Sequence, residues 1–161
     1  MNQTIFILLI IALFSGCAPT SPLKSGVDSL GNPVCLTDCR EIPVAVEKFK
    51  RTHDLLTEEN EIDYLFYRIR SSHDRFIRNG LEVDSPAAAE FLRWKIGWYE
   101  KHFGEKIDSD EDFVSKVMRG SERTGKPYIL ITQDGSKHNA QFVMQNELNY
   151  LNAYNTKNTN H

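Results

Sequence analysis

The chain has 161 residues, three cysteines and a formal charge of −3. That length suits one ordinary domain with appendages, and the mild acidity argues against a dedicated nucleic-acid binder, whose basic residues would stand in clustered excess.

Residues 1–16 read as a lipoprotein-type signal peptide. Ile5 to Phe14 is an unbroken apolar run of ten residues. As a helix it spans about 15 Å, half a bilayer core, which suits a secretory h-region better than a permanent membrane span. Leu13-Phe14-Ser15-Gly16-Cys17 resembles the lipobox of bacterial lipoproteins, so Cys17 is the expected lipidation site. Ala18 after it resembles the signal for outer-membrane delivery, with the domain facing the periplasm. Phe14 and the uncharged start Met1-Asn2-Gln3-Thr4 depart from the lipobox pattern. A plain signal peptide cleaved near Cys17 is the alternative. Several acyl chains on Cys17 would make the anchor effectively permanent.

Residues 17–33 carry Pro, Ser and Gly without an apolar period and read as a flexible tether. Residues 34–56 form an N-terminal extension with Cys35 and Cys39. An even pair in an exported chain reads first as a disulfide, with free thiols or a metal or redox pair as alternatives. Val46, Phe49 and His53 then share helical spacing.

The globular domain is placed at residues 57–155. Thr57 caps a helix with Ile62, Leu65, Phe66 and Ile69 on one face. Phe76-Ile77-Arg78-Asn79-Gly80-Leu81-Glu82-Val83 is a hairpin on a two-residue Asn-Gly turn, with Arg78 opposite Leu81 and Phe76 opposite Val83. Ser85-Pro86 opens the next helix, with Leu92, Ile96, Tyr99 and Phe103 in a stripe and Ala88 and Phe91 beside it. Trp94 and Trp98, at i,i+4, read as cover for the edge of a small core or as an exposed platform for a partner or a sugar. Asp108 and Glu111 form a capping box for a third helix, which Gly120 ends. Gly125-Lys126-Pro127-Tyr128 leads into a strand to Thr132, closed by Asp134-Gly135. A last helix runs from about Asn139 to Tyr154, and residues 156–161 fray.

This order predicts an α+β domain: a small three-stranded antiparallel sheet, hairpin plus one strand, packed against three to five helices. His53, His73, His102, His138 and His161 form no ligand frame, and His138 reads as solvent-facing. No cofactor and no metal site is expected, and no catalytic residue stands out. The basic residues are less easily set aside. Arg75, Arg78, Arg93 and Lys126 come from elements that the topology brings together, and they are the expected anion-recognising face, with Arg78 most exposed at the hairpin tip.

With Phe76-Ile77-Arg78-Asn79-Gly80, Leu92-Arg93-Trp94-Lys95, Asp112-Phe113 and Gly125-Lys126-Pro127-Tyr128 in place, the chain resembles the YfeK-like family of small exported bacterial proteins over roughly Glu61 to Tyr154. The resemblance implies the fold and the compartment and carries no activity. Asp74 stands where a cysteine often precedes the hairpin phenylalanine. The family's serine-rich segment is reduced here to Ser121-Glu122-Arg123-Thr124. The expected function is a lipid-anchored, non-catalytic binding or assembly module, holding an envelope protein or an anionic ligand near the membrane. The alternative is an envelope hydrolase or thiol/redox enzyme using His73, Asp74 or the cysteine pair.

Overall fold

A computed structural model describes residues 23, 25–54 and 57–159. The signal peptide, the Cys17 lipidation site, most of the tether before Ser25 and the last two residues lie outside them. A 3-10 turn (Cys39–Glu41) leads into α1 (Ile42–Lys50) and α2 (Glu58–Ser71). Then come β1 (Arg75–Arg78), β2 (Leu81–Asp84) and α3 (Ser85–Phe103). α4 (Asp110–Asp112) continues into a π-helical turn (Phe113–Val117), followed by β3 (Ile129–Ile131), β4 (Lys137–Asn139) and α5 (Ala140–Thr159).

The domain is α+β, with four antiparallel strands in the order β2-β1-β3-β4 rather than three. The hairpin pairs Arg78 with Leu81 and Phe76 with Val83, as its Asn-Gly turn dictates. Asn79 and Gly80 both take positive φ there, at 51° and 86°. The additional strand, β4, has no apolar alternation to announce it. Asp134 builds it instead: its carboxylate accepts from the Thr132 hydroxyl and from the backbone and side chain of Ser136, folding the chain back on β3. His138 on β4 is therefore only 2% exposed, not solvent-facing. It pairs with Leu130, which pairs with Phe76, in one buried row across the sheet.

Two helix starts differ from expectation by one residue, for the same reason. Asp84 caps α3 by accepting from the Ala87 amide, which leaves Ser85 buried and donating to the Asp74 carbonyl. Ser109 caps α4 by accepting from the Asp112 amide, and Asp110 is buried. Where two capping residues stand side by side, the one with an extended backbone takes the cap and its neighbour is drawn into the helix.

α2 lies at the centre, against α1, α3, α4 and α5. Its Arg68, in the last turn, is buried in a bidentate pair with Glu147 of α5, at 2.9 and 3.0 Å. The same carboxylate accepts from the Leu36 amide at 2.8 Å, and Arg68 donates to the Thr37 hydroxyl at 2.7 Å. Three segments distant in sequence meet on one satisfied ion pair.

The N-terminal extension is docked by this cluster. Cys35 and Cys39 are joined by a disulfide, closing a short loop that contributes about 2 kcal/mol in the chain-entropy picture. Docking begins well before the expected end of the tether at residue 33. Asn146 donates to the carbonyls of Gly26 and Val34, and Val27 bridges Pro33. Gly26 lies so close to α5 that a Cβ would stand 2.8 Å from Phe142. Among the described residues, no helix is long and apolar enough to cross a membrane.

Candidate functional site

α3 turns four residues towards the segment that follows the π-helical turn. Phe91, Trp94, Lys95 and Trp98 recur at helical spacing, so one helix face supplies three aromatic rings and an ammonium. Opposite stand Arg78 at the end of β1, Tyr128 at the entry to β3, and Ser121, Glu122 and Arg123. Together they enclose a groove of about 200 Å³.

The local backbone explains why these residues meet. Gly120 takes φ +149° and passes so near the 126–127 backbone that a Cβ would lie 2.4 Å from the Lys126 carbonyl oxygen. The Ser121 amide donates to that carbonyl, folding residues 121–126 into a closed loop. Asn79 at the hairpin tip fastens this loop, donating to the Ser121 hydroxyl and accepting from Thr124. The Asn-Gly turn thus makes the hairpin and also holds the wall of the groove.

Lys95, the last of the basic residues clustered from Arg68 onward in the sequence, is buried, which its place in that cluster does not announce. Its ammonium donates to the carbonyls of Val117 and Gly120 at 2.8 and 2.6 Å, where the π-helical turn ends in unpaired acceptors. Glu122 lies 3.7 Å away and the Tyr128 ring 5.1 Å. Burial pushes the Lys95 ammonium down to about 8, and burial pushes the Tyr128 hydroxyl up to about 12. A signal was available: Lys95 follows Ala88 and Leu92 on the inward stripe of α3, where a solvated cation does not belong.

The four expected basic residues do not form one face. Arg78 is at the groove, its guanidinium stacked 3.7 Å from the centre of the Phe91 ring and lining the groove together with Tyr128. Arg75 instead pairs across the hairpin with Glu82 at 2.6 Å. Arg93 turns to α2, pairing with Asp63 at 2.7 Å and stacking on Phe66. Lys126 is exposed on the loop, away from the groove lining. Arg78 gains other company: Arg123 and Lys95 join it, with Glu122 opposing them. Trp94 is 58% exposed, and its ring lies 31° from that of Trp98 at 6.4 Å, so the platform alternative describes it better than core cover.

The residues of the enzyme alternative do not form one set: Asp74 and Cys35 line a common cavity, and His73 is not part of its lining. His73 is exposed in a left-handed backbone conformation, φ 55°, while its neighbour Asp74 is turned inward. Cys35 is buried within its disulfide, unlike an exchanging thiol, which needs access.

An α+β domain with a cationic, aromatic groove between its third helix and its hairpin is thereby defined. The chain belongs to the family of unknown function DUF5329, whose pattern matches residues 56–152 and so includes the sheet, the groove and most of α5. Over 72 residues it is 35% identical to the uncharacterised protein YfeK of Salmonella typhimurium strain LT2, a match covering 44% of this chain and 57% of that protein. The chain thus spans a little over half the length of this relative. No solved structure matches it.

Proposed function

We propose that this protein is a lipid-anchored binding module of the bacterial envelope. In this reading its Arg78–Trp94–Trp98 groove captures an anionic ligand whose ring has an apolar face. The observation that carries the reading is the Arg78 guanidinium fixed on Phe91 beside an exposed indole. The stacked cation has lost little of its charge and most of its freedom, so an incoming carboxylate or phosphate meets a pre-set donor. A ring laid on Trp94 adds apolar contact. An acidic sugar meets both demands, with a CH-rich face for the indole and a carboxylate for Arg78 and Arg123.

The test is a tryptophan-fluorescence titration of the full chain with tri-galacturonate, using maltotriose as the neutral control. Tri-galacturonate is expected to bind saturably and more weakly as salt rises. Arg78→Gln should weaken it about tenfold or more, the worth of one hydrogen bond to a charged group. Equal binding of the neutral sugar, or unchanged binding by Arg78→Gln and Trp94→Ala, would overturn the reading.

The anchor is tested separately. A clickable palmitate analogue should label the wild-type protein in cells and fail to label Cys17→Ala; label on both, or on neither, removes the lipid from the proposal.

A further inference from the structure

Away from the groove, the docked N-terminal extension and the turn between β3 and β4 enclose a second cavity, of about 490 Å³. Residues 34–38 form one wall, Thr132 to Ser136 the other, and Asp74 and His138 lie between them. Asp74 is 3% exposed, and its Oδ2 has no hydrogen-bond partner. Its backbone is held from behind: the amide donates to the Ser72 hydroxyl, and the carbonyl accepts from Ser85. Asp74 thus brings an unpartnered oxygen, itself covered from solvent, to the wall of a cavity of ligand size.

The rest of the lining suits one sign of charge. Asp28, Asp38, Glu41 and Asp134 also line the cavity, and no Lys or Arg does among the described residues. Three of those acids are already engaged. Asp28 holds the backbone of its own loop, Asp38 pairs with Arg40, and Asp134 fixes the turn. They supply a negative field, and Asp74 supplies the acceptor that lacks a partner. A bare metal ion needs several converging donors, and among the described residues no three His, Cys, Asp or Glu side chains converge for one.

We propose that this cavity is a second ligand site, which takes the primary ammonium group of a small organic cation on the Asp74 carboxylate. A buried charge left alone is costly, and an ammonium both neutralises it and donates the missing hydrogen bond. Thr37, Thr132 and Ser136 offer hydroxyls for the remaining donors. Without the cation Asp74 holds a proton more firmly than usual: burial pushes its carboxyl up to about 7. Glu147 on α5 and Asp134 in the turn add to that effect, while Arg68 on α2 and the Ser72 hydroxyl oppose it; His138 of β4 faces the same cavity. Ligand and proton therefore compete for one oxygen, and affinity rises with pH.

The experiment titrates the full chain with putrescine by calorimetry, at pH 5.5 and at pH 8. The amine stays charged at both, so the change in affinity reports the groups of the cavity, and the part that Asp74→Asn abolishes reports Asp74. Saturable binding is expected at pH 8, weaker at pH 5.5 by about thirtyfold, the ratio of ionised Asp74 for a pKa near 7. Asp74→Asn is isosteric with the neutral acid and keeps the fold. It should bind about tenfold more weakly or worse at pH 8, and independently of pH. Arg78→Gln, in the other groove, should leave putrescine binding unchanged. Absence of saturable binding would overturn the proposal. So would equal binding by Asp74→Asn, or an equal response to tetramethylammonium chloride at matched ionic strength, since that cation donates no hydrogen bond.

Discussion

Replacing Glu147 by alanine is expected to cost the fold about 3–5 kcal/mol, measured as the loss in urea unfolding free energy. The effect is large because the carboxylate accepts three hydrogen bonds, two from Arg68 and one from the Leu36 amide. Its removal leaves the Arg68 charge buried beside Tyr64 and strips the Leu36 amide of its acceptor. An orphaned charge at this depth cannot rehydrate without opening the contact between α2 and α5. Arg68→Met with Glu147→Leu should recover much of the loss. The two charges leave together, and the unpaired Leu36 amide keeps a residue of about 1–3 kcal/mol. A loss below about 1 kcal/mol in Glu147→Ala would mean that the pair is solvated rather than buried. The single variant should also loosen residues 34–38, so that the Cys35–Cys39 disulfide yields to reductant at lower concentration.

The second large effect is a dependence of stability on pH, carried by Asp74. Its carboxyl rises from 3.8 to about 7 on folding, so between those values the folded chain binds a proton that the unfolded chain has released. The stabilisation from the neutral acid is complete below about pH 4, declines across that window and is gone above pH 7. A shift of this size corresponds to an order of roughly 4 kcal/mol. Asp74→Asn removes the titration and keeps the shape. It is therefore expected to match the wild type near pH 4 and exceed it in stability by a few kcal/mol at pH 8. Equal stability of the two proteins at pH 8 would show that Asp74 ionises without cost. Asp110 moves in the same direction, chiefly through burial, so the wild-type curve alone would mix the two. The difference between wild type and Asp74→Asn isolates the one residue.

Most of the fold was legible because its elements announce themselves locally. The Asn79-Gly80 turn set the hairpin register, and the apolar rhythm of Ile62, Leu65, Phe66 and Ile69 set the buried face of α2. β4 was not legible, since Lys137-His138-Asn139 has neither alternation nor β-branching. Its pairing comes from the Asp134 turn and from the partner strand. The site was legible in part. Arg78 and the two tryptophans stood out by residue type, but the partition of the basic residues depended on where each acid lies. Asp63 draws Arg93 away through a contact between helices that periodicity does not encode, and Glu82 draws Arg75 across the hairpin, a diagonal pair that the register allows. Lys95 and Asp74 belong to a third kind. Each is a charged residue on an apolar stripe, and only its partners decide whether it is a strut or a ligand group.

The hold of α5 on the N-terminal segment has a mechanical consequence. Asn146 grips the carbonyls of Gly26 and Val34, and Glu147, the next residue, grips the Leu36 amide. A pull applied to the chain ahead of Gly26 is met first by these bonds on a single helical turn. Behind them the Cys35–Cys39 link carries tension directly from Cys35 to Cys39, so residues 36–38 and their bond to Glu147 are not stretched in turn. The load passes into α5 and, through Arg68, into the central helix. The hairpin, the 121–126 loop and the groove between them lie off this path. A pull from the N-terminal side would therefore leave the geometry at Arg78 and Trp94 undisturbed.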